Sequence, residues 1–567
     1  MRKMNKEILE KIELWKAHVT KAELAEINAM SEKDLEDAFG LDIAFGTAGL
    51  RGIIGIGTNR MNEYVVRKTT VGFMNYMKKR YHNADEMGVA IAYDCRRNSD
   101  VFSKAAAQVL ASNGMKVYLF KELRPTPELS FAVRHLKCCG GIMITASHNP
   151  PQYNGYKVYD EQGCQLIPHL ADAVTKEVEA VTDMFNIEVK DYEQLVAEGM
   201  IEVIDSLVDD PYLDAVRTIP VNQVKKDNIK IVYTPLHGTG CAFMVELLKG
   251  EGYNVIPVPE QMIPDGEFST LKSPNPEEAS AFEYSLELGK KVDADILIAT
   301  DPDADRMGIA AKDNNGEYVL LTGNQTGAIL LNYLALNVPH DKNACVYNTI
   351  VTSNIAKDIC EKHNLTLVQT LTGFKFIGEQ AALIEGTEKS FFFGYEESYG
   401  SVIKPFVRDK DSFQATLLLA EVASYYKEQG KTLVNVLDEI YEEYGYYLEG
   451  VQNISLTGLE GQQKIKKIMS HFQNATITEM AGKPIVTVED YDKSISTTKG
   501  VESVITLPKS LVLKYIYEDG GWFALRPSGT EPKLKIYIAI KDKDKASAEQ
   551  FIERLKEEVM AIINKID

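Results

Sequence analysis

The chain has 567 residues, room for several domains of about 100–200 residues, and its 45% hydrophobic and 25% charged content is that of packed globular protein. Its 82 acidic against 62 basic side chains leave a formal net charge of −20, which argues against nucleic acid or an anionic membrane as the main partner, because both need broad basic surface. A small anionic ligand stays compatible wherever basic groups converge locally.

The first residues, MRKMNKEILEKIELWKAHV, alternate charged and apolar positions at helical spacing. They lack an uninterrupted apolar core, so neither a signal peptide nor a membrane span is expected. Seven cysteines, odd in number and with no C-x-x-C pair, read as reduced thiols and make the cytoplasm the expected location.

Further along, one pattern recurs three times: an apolar strand, a polar turn, a helical run, a Gly or Asn stop, then another strand. The first copy is VAIAYD (Val89–Asp94), a helix through Ser103–Ser112, and VYLF. The second is IKIVYT (Ile229–Thr234), the turn Leu236–Gly240, a helix ending near Gly250, and NVIPV. The third is ACVYNTIV (Ala344–Val351), a helix through Ile355–Lys362, and LTLVQT. Short β-branched runs alternating with helices predict βαβ units and a mainly parallel sheet in each of three α/β domains. Each copy then adds a strand that runs into a polar loop, and a fourth such strand follows near the C-terminus. This predicts four domains, 1–205, 206–323, 324–445 and 446–567, each offering one loop to a shared cleft.

The first loop is Thr145-Ala146-Ser147-His148-Asn149-Pro150, after GGIMI. By itself it is an ordinary proline-ended turn, and it lacks the G-x-S-x-G spacing of a hydrolase elbow. The second, after ADILIA, is Thr300-Asp301-Pro302-Asp303-Ala304-Asp305-Arg306. In an extended segment its three carboxylates share a face and can meet one cation. Oxygen-only ligands indicate a hard ion such as Mg²⁺. An EF-hand is excluded, since its sixth and twelfth positions are here Arg306 and Lys312.

The third loop, Gly394–Gly400, offers Glu396 and Ser398 to the hydroxyls of a ligand. The fourth, Arg526-Pro527-Ser528-Gly529-Thr530-Glu531-Pro532, has the makings of a phosphate cradle: a guanidinium fork, two hydroxyls and a glycine. Further basic residues lie among glycines or acids in Gly46–Gly52 (Arg51), Asn154–Lys157, Thr372-Gly373-Phe374-Lys375 and Arg408–Asp411 (Lys410).

Together these four loops, in this order, resemble the α-D-phosphohexomutase superfamily from Gly46 to Tyr537. GYEESYG, TGFKFIG and RPSGTEPK look most like the branch holding bacterial α-phosphoglucomutases and the animal phosphoglucomutase-2-type phosphopentomutases. The resemblance implies a heart-shaped four-domain fold: three related α/β domains with mixed sheets, and a C-terminal α+β domain like the TATA-binding protein. It implies a phosphoserine at Ser147 and one Mg²⁺ per chain on Asp301, Asp303 and Asp305, with the phosphoseryl group completing the shell. Glu396 and Ser398 would bind sugar hydroxyls. Arg526, Ser528, Gly529, Thr530 and Lys535 would hold the non-reacting phosphate. Arg51, His148, Lys157, Arg306 and Lys410 would surround the reacting phosphoryl group, with Thr372, Gly373 and Lys375 near the sugar.

The reaction so implied interconverts α-D-glucose 1-phosphate and D-glucose 6-phosphate, with glucose 1,6-bisphosphate as intermediate and activator. Phosphopentomutase and phosphomannomutase activity are the alternatives, though GYEES in place of GEMS disfavours mannose phosphate. Lys157, His148 and Lys410 are the candidate general bases, Lys157 first. A monomer or weak homodimer is expected. Two rivals start from the same residues. A haloacid-dehalogenase-like phosphatase would use Asp301-Pro302-Asp303-Ala304 as its D-x-D-x loop but leaves three loops unexplained; a non-catalytic sugar-phosphate sensor has no need of both nucleophile and metal triad.

Overall fold

The computed structural model describes residues 5–46, 49–456, 458–527 and 533–566. By internal contacts the chain divides into two compact units. One comprises 1–311, 378–383 and 400–428; the other comprises 312–377, 384–399 and 429–567.

The first unit holds two sheets. One runs in the order β1 (Leu50–Ile53), β5 (Tyr153–Asp160), β4 (Gly140–Ile144), β2 (Val89–Tyr93), β3 (Val117–Phe120), β6 (Ile201–Ile204). Its central strands are apolar at every position because both faces are covered. Val89, Ile91, Ile142 and Ile144 face one core, with Phe73, Phe102 and Leu110 from the helices Glu63–Arg80 and Ser99–Ser112. Ala90, Ala92 and Met143 face the other, with Leu129 and Val133 from the helix Thr126–His135. The second sheet has the neighbours β10 (Met307–Lys312), β9 (Ile296–Thr300), β7 (Lys230–Thr234) and β8 (Asn254–Pro257).

Both sheets are mixed. β2 pairs β3 and β4 in parallel, and β7 pairs β8 and β9 in parallel. β4–β5 and β9–β10 are antiparallel, with Met143 opposite Lys157 and Thr300 opposite Met307. Strand–helix alternation alone suggests mainly parallel sheets; the sheets are mixed, as the family resemblance implies, and the parallel run ends at two hairpins. The connections after Ile144 and Thr300 are too short to carry a crossover helix, so each strand returns as a hairpin. These two hairpin loops are the Ser147 and Asp301–Arg306 loops.

In the second unit Ala344–Thr349 pairs in parallel with both Thr366–Thr370 and Ser390–Tyr395. The helix expected after the first of these strands spans Ile355–Lys362. The C-terminal part is an antiparallel sheet. Its strand order is Tyr446–Ser455, Lys533–Asp542, Trp522–Pro527, Leu513–Tyr517, Lys483–Asp490, Ile495–Thr498, Val501–Val504. The helices Gly458–Asn474 and Lys545–Ile563 bury Ile468, Phe472, Leu555 and Val559 in one core with Phe523, Leu525 and Ile538 of that sheet. This is the expected α+β organisation.

Candidate active site

The tip of the β4–β5 hairpin delivers Ser147. Its side chain is buried, and its backbone is left-handed, at φ +51°. That conformation costs a non-glycine residue about 1–2 kcal/mol. Its N–H donates to Thr145 Oγ1 (2.8 Å), and Thr145 Oγ1 donates to the buried carboxylate of Asp94 (2.6 Å). Gly155, on the returning strand, has to be glycine: a Cβ there would come within 2.5 Å of the Thr145 carbonyl oxygen.

The second hairpin brings Asp301 against the serine, and Ser147 Oγ donates to Asp301 Oδ2 at 2.8 Å. The other oxygen of Asp301 accepts the backbone N–H groups of Asp305 (3.1 Å) and Arg306 (3.0 Å), which winds the loop round its first carboxylate. Ala304, at φ +51°, completes the turn. The convergence is therefore made by a turn and not by the extended alternation expected from the sequence. Behind it, Thr239 N–H donates to the Pro302 carbonyl (2.8 Å), and Gly238 lies so close that a Cβ would meet Pro302 Cα at 2.4 Å.

Oxygen atoms of Asp301, Asp303 and Asp305 lie within 4.8 Å of one another, and all three residues are buried. Asp303 Oδ2 accepts from Lys157 Nζ (2.7 Å) and Thr126 Oγ1 (2.8 Å). Asp305 Oδ2 faces Lys410 Nζ at 3.3 Å and Lys157 Nζ at 3.6 Å. Asp303 Oδ1 and Asp305 Oδ1 are buried and have no hydrogen-bond partner among the described residues. An unsatisfied buried polar atom costs about 1–3 kcal/mol, and two from neighbouring carboxylates fit the donor set of a hard cation. No other such acidic group exists among the described residues.

Burial, then the charges of Asp305 and Asp303, push the Asp301 carboxyl well above its ordinary range. Burial acts the same way on Asp303, but the Lys157 ammonium overrides it and holds that carboxylate low. Lys157 answers in kind: burial favours its neutral amine, yet Asp303 and Asp305 raise it and keep it an ammonium. His148 Nδ1 lies 3.1 Å from Ser147 Oγ, and burial, with the charges of Arg306 and Arg51, keeps its imidazole neutral.

Arg306 pairs with Glu277 (2.6 Å) and approaches Asp305 (3.7 Å), while Arg51 donates to Asn149 Oδ1 (3.2 Å). The structure thus joins Arg51, Ser147, His148, Lys157, the three aspartates, Arg306 and Lys410 in one cluster. Sequence reasoning missed Arg96, Asp94 and Thr126, whose side chains hydrogen-bond to the Ser147 loop and to Asp303. The only local signal was D-x-R after a strand.

In the second unit, the strand Ser390–Tyr395 ends at buried Glu396, followed by half-buried Glu397 and Ser398. Glu397 accepts from Thr349 Oγ1 (2.9 Å); burial, then the charge of Glu396, pushes its carboxyl up to about 6. Lys375 opens a helix after Gly373, whose φ is +117° and which follows the half-buried Thr372. Burial, then the charge of Arg526, lowers its amine to about 8. Arg526 and Lys535 face each other across paired strands. Ser528, Gly529 and Thr530 lie outside the described residues.

Models of the four phosphoglucomutase/phosphomannomutase domains match this chain in order. Alpha/beta/alpha domains I, II and III match residues 42–184, 210–316 and 322–444, and the C-terminal domain matches 485–558. The chain belongs to the phosphoglucomutase/phosphomannomutase family.

It is 38% identical to a phosphoglucomutase of Staphylococcus epidermidis over 516 residues, 90% of this chain and 93% of that protein. A phosphoglucomutase of Staphylococcus aureus is also 38% identical, over 90% of this chain and 92% of its own length. Among solved structures, a phosphoglucomutase/phosphomannomutase family protein of Burkholderia thailandensis superposes with TM-score 0.68 at 17% identity, covering 92% of this chain and 98% of that one. The open form of parafusin, a phosphoglucomutase from Paramecium, gives 0.66 at 16%, covering 92% and 94%. At these identities the two structures speak to the fold, and they share the four-domain architecture expected from the motifs.

Proposed function

We propose that this chain is a phosphoglucomutase that interconverts α-D-glucose 1-phosphate and D-glucose 6-phosphate through a phosphoserine at Ser147. One observation carries the reading: a strained, buried serine hydroxyl lies 2.8 Å from the first carboxylate of a buried three-aspartate cluster. It does so in a chain whose curated relatives are phosphoglucomutases. The phosphatase reading loses support, because both oxygens of Asp301 are engaged, one by two backbone N–H groups and one by Ser147.

In the forward half-reaction the phosphoryl group leaves Ser147 Oγ for the free hydroxyl oxygen of the sugar phosphate. The P–Oγ bond breaks, a P–O bond to the sugar forms, and the hydroxyl proton passes to a basic side chain. Glucose 1,6-bisphosphate then reverses its ends; its other phosphoryl group passes to Ser147 Oγ, and a proton returns to the departing sugar oxygen. His148, beside the nucleophile and kept neutral, is the group able to take that proton; Lys157, an ammonium on the aspartates, can return one as acid, and Lys410 is the remaining candidate.

Asp301, Asp303 and Asp305 would hold Mg²⁺, which when bound neutralises charge on the phosphoryl oxygens. Arg51 and Arg306 add positive charge around that position. Glu396 and Ser398 would read sugar hydroxyls, with Lys375, Arg526 and Lys535 receiving the other phosphate. The gaps 184–210 and 444–485 between matched segments favour boundaries at 205 and 445, whereas 323 lies just inside the domain III match, which starts at 322.

The test is a panel of glucose, mannose and ribose 1-phosphates, each assayed with and without its bisphosphate. Glucose 1-phosphate should be converted fastest and should need bisphosphate for full rate. A preference for ribose 1-phosphate of tenfold or more, about 1.4 kcal/mol in transition-state binding, would overturn the substrate while leaving the phosphoserine chemistry standing.

A further inference from the structure

Ser147 sits in a left-handed backbone conformation that serine rarely adopts, and the hydrogen bonds to its loop converge on one residue. Arg96 is fully buried and lies two positions beyond Asp94, after the end of β2. Its guanidinium donates to four carbonyl oxygens of the Ser147 loop and the strand that follows. Nη2 takes those of Ser147 (2.6 Å) and Asn149, and Nη1 those of Pro150 (2.9 Å) and Tyr153 (3.0 Å). Its Nε lies 3.4 Å from Asp94 Oδ2, and its Cζ lies 5.0 Å from the ring centre of Phe268.

Asp94 holds the other side of the same loop. It accepts from Thr145 Oγ1 (2.6 Å), which in turn accepts the Ser147 N–H (2.8 Å). Asp94 also accepts the Arg96 N–H (2.9 Å) and Ser99 Oγ (2.8 Å), so the carboxylate is anchored to its own strand end. The Ser147 peptide groups are therefore gripped from both sides, N–H through Thr145 and Asp94, C=O by Arg96.

We propose that Arg96, braced by Asp94, is a positioning residue for phosphoryl transfer: it clamps the loop so that Ser147 Oγ faces Asp301. The proposal rests on the phosphoserine reading above. A guanidinium suits the task because its rigid planar fork can serve several acceptors at fixed angles, which a lysine ammonium cannot. Four carbonyls on one buried cation also make the arrangement all-or-none: loosening the loop would leave a buried charge without partners. The clamp acts on where the nucleophile is, not on what binds. Its loss should appear in the rate of transfer and leave sugar-phosphate affinity nearly alone.

The experiment is burst labelling of the full-length protein with phosphorus-32 glucose 1,6-bisphosphate, which gives both the fraction of chains labelled at Ser147 and the labelling rate, alongside steady-state kcat and KM for glucose 1-phosphate. For Arg96→Gln and Arg96→Lys the labelled fraction should stay near that of the wild type. The labelling rate and kcat should fall about 100-fold, the KM should change by less than about threefold, and lysine should rescue little. Labelling within threefold of the wild-type rate would overturn the clamp. So would a reduced labelled fraction that turns over at the normal rate per labelled site, the signature of a merely structural role.

Should the Arg96 variants not fold, Thr145→Val removes the opposite grip while leaving the guanidinium in place. It must show the same slow labelling at full amplitude, and a normal rate there also overturns the proposal. A wild-type protein that takes no label on Ser147 refutes the mutase reading, and the clamp with it. A wild type that labels fast beside Arg96 variants that label equally fast refutes the clamp alone.

Discussion

Thr126→Val should weaken magnesium binding without removing any metal ligand. Thr126 opens a helix in the first α/β layer, and its hydroxyl donates to Asp303 Oδ2 at 2.8 Å, both groups being fully buried. Valine keeps the shape and loses only that hydrogen bond, while the backbone N–H of residue 126 still donates to the Asp303 carbonyl (2.9 Å) and holds the loop. A hydrogen bond to a charged group contributes about 1.5–3 kcal/mol, or about 10–150-fold in an equilibrium constant. Outer partners of metal-binding carboxylates typically matter by about 10–100-fold. The competing effect has the same sign: with Thr126 silent, Asp303 Oδ2 is left to Lys157 at 2.7 Å, tightening an ion pair that opposes the cation. The expected result is a Kd for Mg²⁺ raised about 10–100-fold by titration calorimetry of the metal-free protein. The half-saturating Mg²⁺ for turnover should rise in parallel, with kcat at saturating Mg²⁺ within about threefold of wild type. An unchanged Kd would refute the argument that Thr126 orients Asp303, and a kcat that saturating Mg²⁺ cannot restore would place the fault in the nucleophile instead.

Ser147→Ala should abolish turnover with an unchanged circular dichroism spectrum, and the acid-stable phosphate expected on the wild type by mass spectrometry should be missing; mutase activity in the variant would contradict the mechanism. Glu396→Ala should lower kcat/KM most for the true substrate and flatten the preference between glucose and ribose 1-phosphates; an unchanged preference would move sugar recognition to Lys375. Lys514, buried and donating to the Ile350 carbonyl (2.7 Å), is lowered by burial from 10.5 to about 8, so between these values the unfolded chain binds the extra proton and stability rises with pH. Lys514→Met should gain most below pH 8, by at most about 3 kcal/mol, and lose that advantage towards pH 10.5. The difference in unfolding midpoint between the two proteins across that range checks it, and a pH-independent difference would be contrary evidence.

The chemistry-bearing loops were legible because each is a contiguous run: Ser147, the aspartates, Glu396 with Ser398, and Arg526 lie in segments a few residues long. The groups that hold them were not. Arg96 acts on carbonyls up to 57 residues away, and Thr126 on a carboxylate 177 residues away. A lone arginine or threonine carries no pattern until the sheet order sets its strand end beside another. Hairpin against crossover was likewise hidden at β4–β5 and β9–β10, because apolar runs buried on both faces read alike in parallel and antiparallel pairs.

The aspartate loop brings the three expected carboxylates together by a geometry other than the expected one. Along an extended strand, side chains two apart are separated by about 6.6 Å. Mg²⁺ binds oxygen at about 2.0–2.1 Å, so two oxygens on one ion lie no more than about 4.2 Å apart. Three alternating carboxylates on a straight strand cannot all reach it. The loop meets the requirement by turning: Asp301 accepts the N–H groups of Asp305 and Arg306, Ala304 takes a positive φ, and the carboxylate oxygens draw within 4.8 Å of one another. A bound cation would have to draw them in by the remaining few tenths of an ångström, against Lys157 and Lys410, which already supply positive charge to Asp303 and Asp305. Alternation selected which residues share a side, and the turn, invisible in composition or period, set the distance on which metal binding depends.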